Sequence, residues 1–186
     1  IWLDSRTEGM YDSGARLLPQ EAEAILASIA GMLGTQIDAE HPIIEAELPL
    51  DGSRIEGMVP PLVANPCFVI RKRATRVFPL SHYIAAGSMT VAHAGLLRSA
   101  IAERRNILVS GGTGSGKTTL VNAILDEMVR LGEPSERFIL LEDTVELQCT
   151  AENHTALRTT RHVDLATLVK ATMHLNPDRI IIGEVR

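Results

Sequence analysis

"SGGTGSGKTTL", residues 110–120, decides how this chain is read. Gly111, Gly116, Lys117 and Thr118 satisfy the pattern G-x-x-x-x-G-K-[ST] without adjustment. The apolar run Ile107-Leu108-Val109 stands just before the loop. Leu120, Val121, Ile124, Leu125, Met128 and Leu131 follow it at spacings of three and four, and Gly132 closes the run. The order predicted is strand, glycine-rich loop, helix. In that setting the glycines let successive N–H groups turn inward on phosphate oxygens, and the helix adds its positive N-terminal end. The expected cradle is Gly111, Gly112, Thr113, Gly114, Ser115, Gly116, Lys117, Thr118 and Thr119. Lys117 is expected to span the β- and γ-phosphates, and the Thr118 hydroxyl to meet magnesium. Kinases, GTP switches and ATP motors all use such a loop. No Asn/Thr-Lys-x-Asp tetrad, the element with which GTP switches read their base, occurs in the 186 residues.

Working outward, Phe138-Ile139-Leu140-Leu141 reads as a fully apolar strand that runs into Glu142-Asp143. Leu165, Leu168, Val169 and Thr172 mark a helix that starts after Asp164 and ends before Asn176-Pro177, and Arg179-Ile180-Ile181-Ile182 is a last strand leading to Gly183-Glu184. Apolar strands alternating with helices predict a parallel sheet covered on both faces. Functional residues of such sheets gather at the C-terminal ends of the strands, which puts both acidic tips on the edge of the phosphate loop. Hydrolysis of a nucleotide needs a magnesium ion held against the phosphates and a water in line with the γ-phosphate. Glu184 is the residue expected to polarise that water, because a long side chain at a strand tip reaches past the metal. Glu142 is expected to support the metal shell or a second water, with Asp143 bonding its own loop. Gly183 stands where many nucleotide hydrolases carry an Asp, so that job is expected to be shared between the two tips.

The first half has a different pattern. Pro19 opens a predicted helix in which Ile25, Ile29, Met32 and Leu33 recur until Gly34, a suitable C-cap. Ile44, Ala46 and Leu48 alternate with Glu45 and Glu47, and Asp51-Gly52-Ser53 is a turn signal leading into Arg54 to Val59, which predicts a hairpin. Pro60-Pro61 and Pro66 break the chain before a further strand, Cys67 to Ile70. The division expected is an N-terminal mixed α/β domain over 1–77, a linker over 78–90 and a P-loop domain over 91–186.

Hydrophobic content of 45% and a mean hydropathy of +0.10 describe an ordinary globular composition. No apolar run is long enough to span a bilayer and no signal peptide opens the chain, so a cytoplasmic protein is expected, with peripheral attachment to a membrane left open. The lack of an initiating Met and the strand-like ends at Ile1 and Val185 suggest a piece of a longer protein. A net charge of -5 argues against a broad face for nucleic acid. Cys67 and Cys149 have no CxxC spacing and read as reduced thiols. The six histidines, His41, His82, His93, His154, His162 and His174, are scattered without metal-ligand spacing.

Three stretches carry a resemblance: "GGTGSGKTT", "LLEDTVELQ" and "LNPDRIIIGEVR". In order and spacing they resemble the phosphate loop, the acidic box and the unusual Walker B of the type II/IV secretion traffic ATPases, most closely the TrbB-like conjugative-transfer ATPases, over nearly the whole chain. The resemblance implies a RecA-like P-loop domain, ATP and magnesium as cofactors, and a hexameric ring. It also implies hydrolysis that drives pilus assembly or substrate transfer, inner-membrane secretion or conjugation components as partners, and no sequence-specific contact with nucleic acid. An N-terminal arginine is expected to reach the γ-phosphate, Arg71 of "FVIRKR" first, then Arg73 and Arg76; Arg158 and Arg161 are further candidates for a phosphate or a neighbouring subunit. The family's His box lies beyond Arg186. Three alternatives stay open: another secretion or pilus ATPase of the same superfamily, a P-loop phosphotransferase, and a scaffold that binds ATP without useful turnover.

Overall fold

The computed structural model describes all residues except 6, 7, 74, 75, 113, 161, 185 and 186. Of the readings above, Thr113, Arg161, the strand-like stop at Val185 and the terminal Arg186 lie outside the described residues. Contacts divide the chain into two units, Ile1–Arg73 and Ala74–Arg186.

The first unit opens with a hairpin, β1 (Trp2–Ser5) and β2 (Gly9–Asp12), whose second strand the sequence did not announce. Helix α1 (Pro19–Met32) begins on a proline at its first position, and the Glu21 carboxylate accepts the Leu18 N–H at 2.8 Å. β3 (Ile43–Glu47), β4 (Arg54–Met58) and β5 (Cys67–Arg71) form an antiparallel sheet in that order. The predicted helix is present, and of the residues read at its spacing Ile29 and Leu33 pack against the core, while the rest of the inner face differs. Ala22, Leu26 and Ala30 are buried, while Ile25 and Met32 are exposed. The reason is close approach. Leu26 packs with Ile44, Ile55 and Val59, and a Cβ at Gly57 would collide with Leu26 Cδ2. A smaller residue on either side of Leu26 lets the helix sit down on the sheet, and each fully buried Leu or Ile contributes about 1.5–3 kcal/mol.

The second unit starts with two helices, α2 (Leu80–Ala85) and α3 (Val91–Ala102). The stretch 78–90, read above as a linker, is therefore partly helical, and Leu80 is fully buried. Helix α4 (Lys117–Leu131) follows the glycine-rich loop. β6 (Phe138–Glu142) is the central strand of a three-stranded parallel sheet, flanked by β7 (His154–Arg158) and β8 (Arg179–Ile182), with α5 (Leu165–Thr172) crossing between them. Every residue of β6 is buried. Leu125 of α4 packs with Phe138, Leu140 and Ile181 on one face, and Leu168 of α5 with Ile139 and Leu141 on the other. The covering of both faces follows the expectation.

One strand does not follow it. Ile107-Leu108-Val109 belongs to no strand, and Leu108 is 90% exposed. An apolar triplet becomes a strand only where a neighbour takes its backbone hydrogen bonds. Among the described residues no strand pairs with it.

At the starting ends of β6 and β8 the sheet is fastened by charge. Arg179 Nε donates to Glu136 Oε2 at 3.0 Å, its Nη1 donates to the Ile101 carbonyl at 2.9 Å, and Arg104 Nη2 donates to Glu136 Oε1 at 2.7 Å. Glu136 and Arg179 are both almost wholly buried, so each needs the other.

Candidate functional site

Gly116 caps α4 with a φ of +87°, a left-handed conformation open to glycine at little cost. The loop thereby turns directly into the helix, so that Lys117 and Thr118 form its first turn, where N–H groups lack partners within the helix. The Lys117 ammonium folds back on its own loop and donates to the Gly112 carbonyl at 2.8 Å. That bond holds the cation at the glycine-rich loop and is one an anionic oxygen can replace.

Parallel pairing brings the strand tips together. Glu142 ends β6, and the Gly183 N–H continues the β8 ladder by donating to the Leu141 carbonyl at 2.9 Å. The resulting cleft is lined by Thr118, Glu142, Asp143, Thr144, Glu146, Gly183 and Glu184. The structure thus joins the predicted Thr118, Glu142, Asp143 and Glu184, and it adds Thr144 and Glu146.

The acids differ in what they already bind. Glu142, 3% exposed, accepts the N–H groups of Glu146 and Leu147 at Oε1, both at 2.7 Å. One of its two oxygens is thus committed to the segment that follows β6. Asp143 accepts the Thr159 hydroxyl, and Arg158 Nε donates to the Asp143 carbonyl at 3.1 Å. Arg158, a candidate phosphate contact, therefore bonds to the acidic segment. Glu184 is exposed at the cleft.

Gly183 has a spatial explanation. A Cβ there would lie 3.2 Å from Glu142 Cγ and 3.5 Å from its Oε1. An aspartate at 183 would push into the carboxylate that holds the acidic segment. Glycine at 183 and glutamate at 142 are therefore a matched pair.

Arg71 ends β5 opposite Arg54 and is exposed, and Arg73 lies beside Gly52 at the hairpin turn. Both belong to the first unit. Arg76, in the second, sits 5.0 Å over the Phe78 ring. Cys67 and Cys149 are free thiols, and burial pushes the Cys149 thiol up from its ordinary range. Among the described residues no group of three or more His, Cys, Asp or Glu forms a metal cage. The hydroxyl and carboxylate oxygens of the cleft suit a hard cation such as magnesium, which takes one or two protein ligands and completes its shell with phosphate and water. No helix among the described residues is long and apolar enough to cross a membrane.

The most informative residue missed in the sequence is Asn122. It is buried one turn beyond Thr118, where its Nδ2 donates to the Glu146 carbonyl at 3.0 Å and its Oδ1 accepts the Gln148 N–H at 2.8 Å. A polar residue amid the apolar stripe of α4 was the available signal.

A glycine-rich loop opening a helix against acid-tipped parallel strands is the arrangement of the P-loop class. The chain belongs to the type II/IV secretion system protein family, whose profile matches residues 16–186. It is 50% identical over 186 residues to the conjugal transfer protein TrbB of Rhizobium radiobacter, covering all of this chain and 57% of that protein. It is 53% identical over 165 residues to a probable conjugal transfer protein TrbB of Sinorhizobium fredii, covering 89% of this chain and 50% of that one. The chain thus spans about half the length of these relatives. In fold it is similar to the pilus retraction motor PilT with bound ADP (TM-score 0.64, 19% identity, 92% of this chain and 48% of that one). It is also similar to the Legionella pneumophila ATPase DotB (TM-score 0.62, 20% identity, 96% and 51%).

Proposed function

We propose that this chain is the nucleotide-binding and hydrolysing part of an ATP-driven motor for conjugative transfer through a type IV secretion system. The observation that carries the reading is the cleft in which Thr118 meets Glu142, Asp143, Glu146 and Glu184. The relatives named for conjugal transfer support the process, and the fold neighbours, a motor with bound ADP and an ATPase, support the ligand.

In this reading the residues of 111–119 hold the phosphates. Lys117 exchanges the Gly112 carbonyl for a phosphate oxygen, and Thr118 with Glu142 Oε2 serves the magnesium shell. Magnesium supplies charge neutralisation at the phosphates when bound. Glu184 orients the attacking water and takes up its proton at a carboxylate oxygen. The further proposals are a division into an N-terminal domain and a RecA-like domain, Arg71 as a γ-phosphate contact, assembly as a homohexamer, cytoplasmic location, and inner-membrane secretion components as partners.

The test is ATP hydrolysis by the chain across a protein-concentration series, beside Lys117→Ala, with nucleotide binding recorded on the same samples. Removing one preorganised donor to the reacting group lowers turnover by roughly 10²–10³-fold. Specific activity that rises with concentration and is lost in the variant is the expected result, since assembly follows mass action. Binding without turnover at any concentration would favour the scaffold, and no binding would overturn the reading.

A further inference from the structure

Residues 143–150 form neither helix nor strand, so their buried backbone groups need partners from elsewhere. Two side chains provide them. Glu142 Oε1 takes the N–H groups of Glu146 and Leu147, and the Asn122 amide takes the Glu146 carbonyl and the Gln148 N–H. Both backbone groups of Glu146 are thereby gripped, one from β6 and one from α4, while Glu146 as a residue lines the cleft beside Thr118.

Asn122 suits this position for three reasons. It lies four residues beyond Thr118 on the same face of α4, about one turn of helix away. An amide side chain alone presents a donor and an acceptor side by side, matching a C=O and an N–H two residues apart on an extended segment. At 3% exposure its bonds are made out of competition with water, so the two groups move as one piece. We infer that Asn122 is a positioning residue that couples the phosphate loop to the acidic segment: whatever shifts the first turn of α4 on nucleotide binding is transmitted through its amide to Glu146.

The inference rests on the nucleotide reading above, and the test separates the two. Hydrogen exchange at the amides of 146–148 is measured with and without a non-hydrolysable ATP analogue and magnesium, and affinity for the same analogue is measured in parallel. The proteins are the unaltered chain, Asn122→Asp, which keeps the size and the acceptor and loses the donor, and Asn122→Ala. In the unaltered chain the analogue should slow exchange at these amides. In Asn122→Asp it should bind within about 3-fold of the unaltered affinity while the slowing is reduced roughly 10-fold or more, as when a supporting shell is lost. A merely structural role predicts faster exchange in both states with the nucleotide-dependent slowing intact, and that result would overturn the coupling. So would binding to the unaltered chain with no change at 146–148, which requires no variant to fold. Failure of the unaltered chain to bind the analogue would overturn the nucleotide reading and leave nothing to couple.

Discussion

The parallel sheet of the second unit has two ends, and carboxylates are used differently at each. At the starting end Glu136 meets guanidinium groups, those of Arg179 and Arg104, and is buried with the first while the second stays half exposed. At the tips Glu142 meets backbone N–H groups and Asp143 a hydroxyl. Opposite charges cancel at the first end and hold two strands and a helix end together. At the other end backbone N–H groups and a hydroxyl hold the Glu142 and Asp143 carboxylates, in a cleft that Thr118 and Glu184 also line.

The sharpest way to break that contrast is Glu184→Gln. If the tips serve chemistry, loss of a general base lowers hydrolysis by roughly 10²–10⁴-fold while the melting temperature stays within a degree or so of the unaltered chain. A lowered melting temperature with unchanged turnover would put Glu184 in the same class as Glu136.

The opposite pattern is expected at the starting end. Arg179→Leu leaves the Glu136 carboxylate buried without its main partner, at a cost of about 3–5 kcal/mol. The double substitution Arg179→Leu with Glu136→Leu should recover much of that, because no charge is then stranded. Denaturant unfolding of the three variants checks both points. A double variant no more stable than the single one would mean that the pair specifies the fold beyond balancing its own charge.

What could be read in advance follows the same division. The glycine-rich turn into α4 and the two acidic strand ends were readable because their signals are local, a run of glycines or an acid ending an apolar run. The position of Glu142 relative to Gly183 was not, since it depends on which strands become neighbours. β7 was missed because "HTALR" has too few apolar residues to stand out, although β6 supplies its entire ladder. Ile107-Leu108-Val109 erred in the other direction, an apolar triplet with no partner strand among the described residues. The burial of Leu26 in α1 depends on space left by Gly57, a residue outside the helix. Asn122 bonds across 24 and 26 residues to main-chain atoms, which carry no sequence signature.

Gly183→Ala is a finer probe of the tips. The added methyl forces Glu142 to shift by a few tenths of an ångström, at a cost of about 1 kcal/mol, near the lower end for overpacking. The predicted signature is a small fall in melting temperature together with a larger fractional loss of turnover, because the shift moves the acidic segment. Equal losses in both would mean that Gly183 matters only for packing.

The smallest effect is expected at Asp164, which serves as a control on the tip side. It precedes α5, the helix that follows β7, and its carboxylate accepts the Thr167 N–H at 2.8 Å as an N-cap. Like Glu142, it is a carboxylate that binds backbone, yet it lines no part of the cleft. Hydrogen bonding to Thr167 holds its carboxyl below the ordinary value of 3.8. A depressed folded-state value means that the stabilisation is fully present above the unfolded value and fades as pH falls through the lower, folded one. Asp164→Asn should therefore melt slightly below the unaltered chain at neutral pH, with the gap closing only under strongly acidic conditions, and hydrolysis should be unchanged. If turnover fell as well, binding backbone at that end of the sheet would itself be enough to affect the site. The contrast between Glu142 and an ordinary helix cap would then be lost.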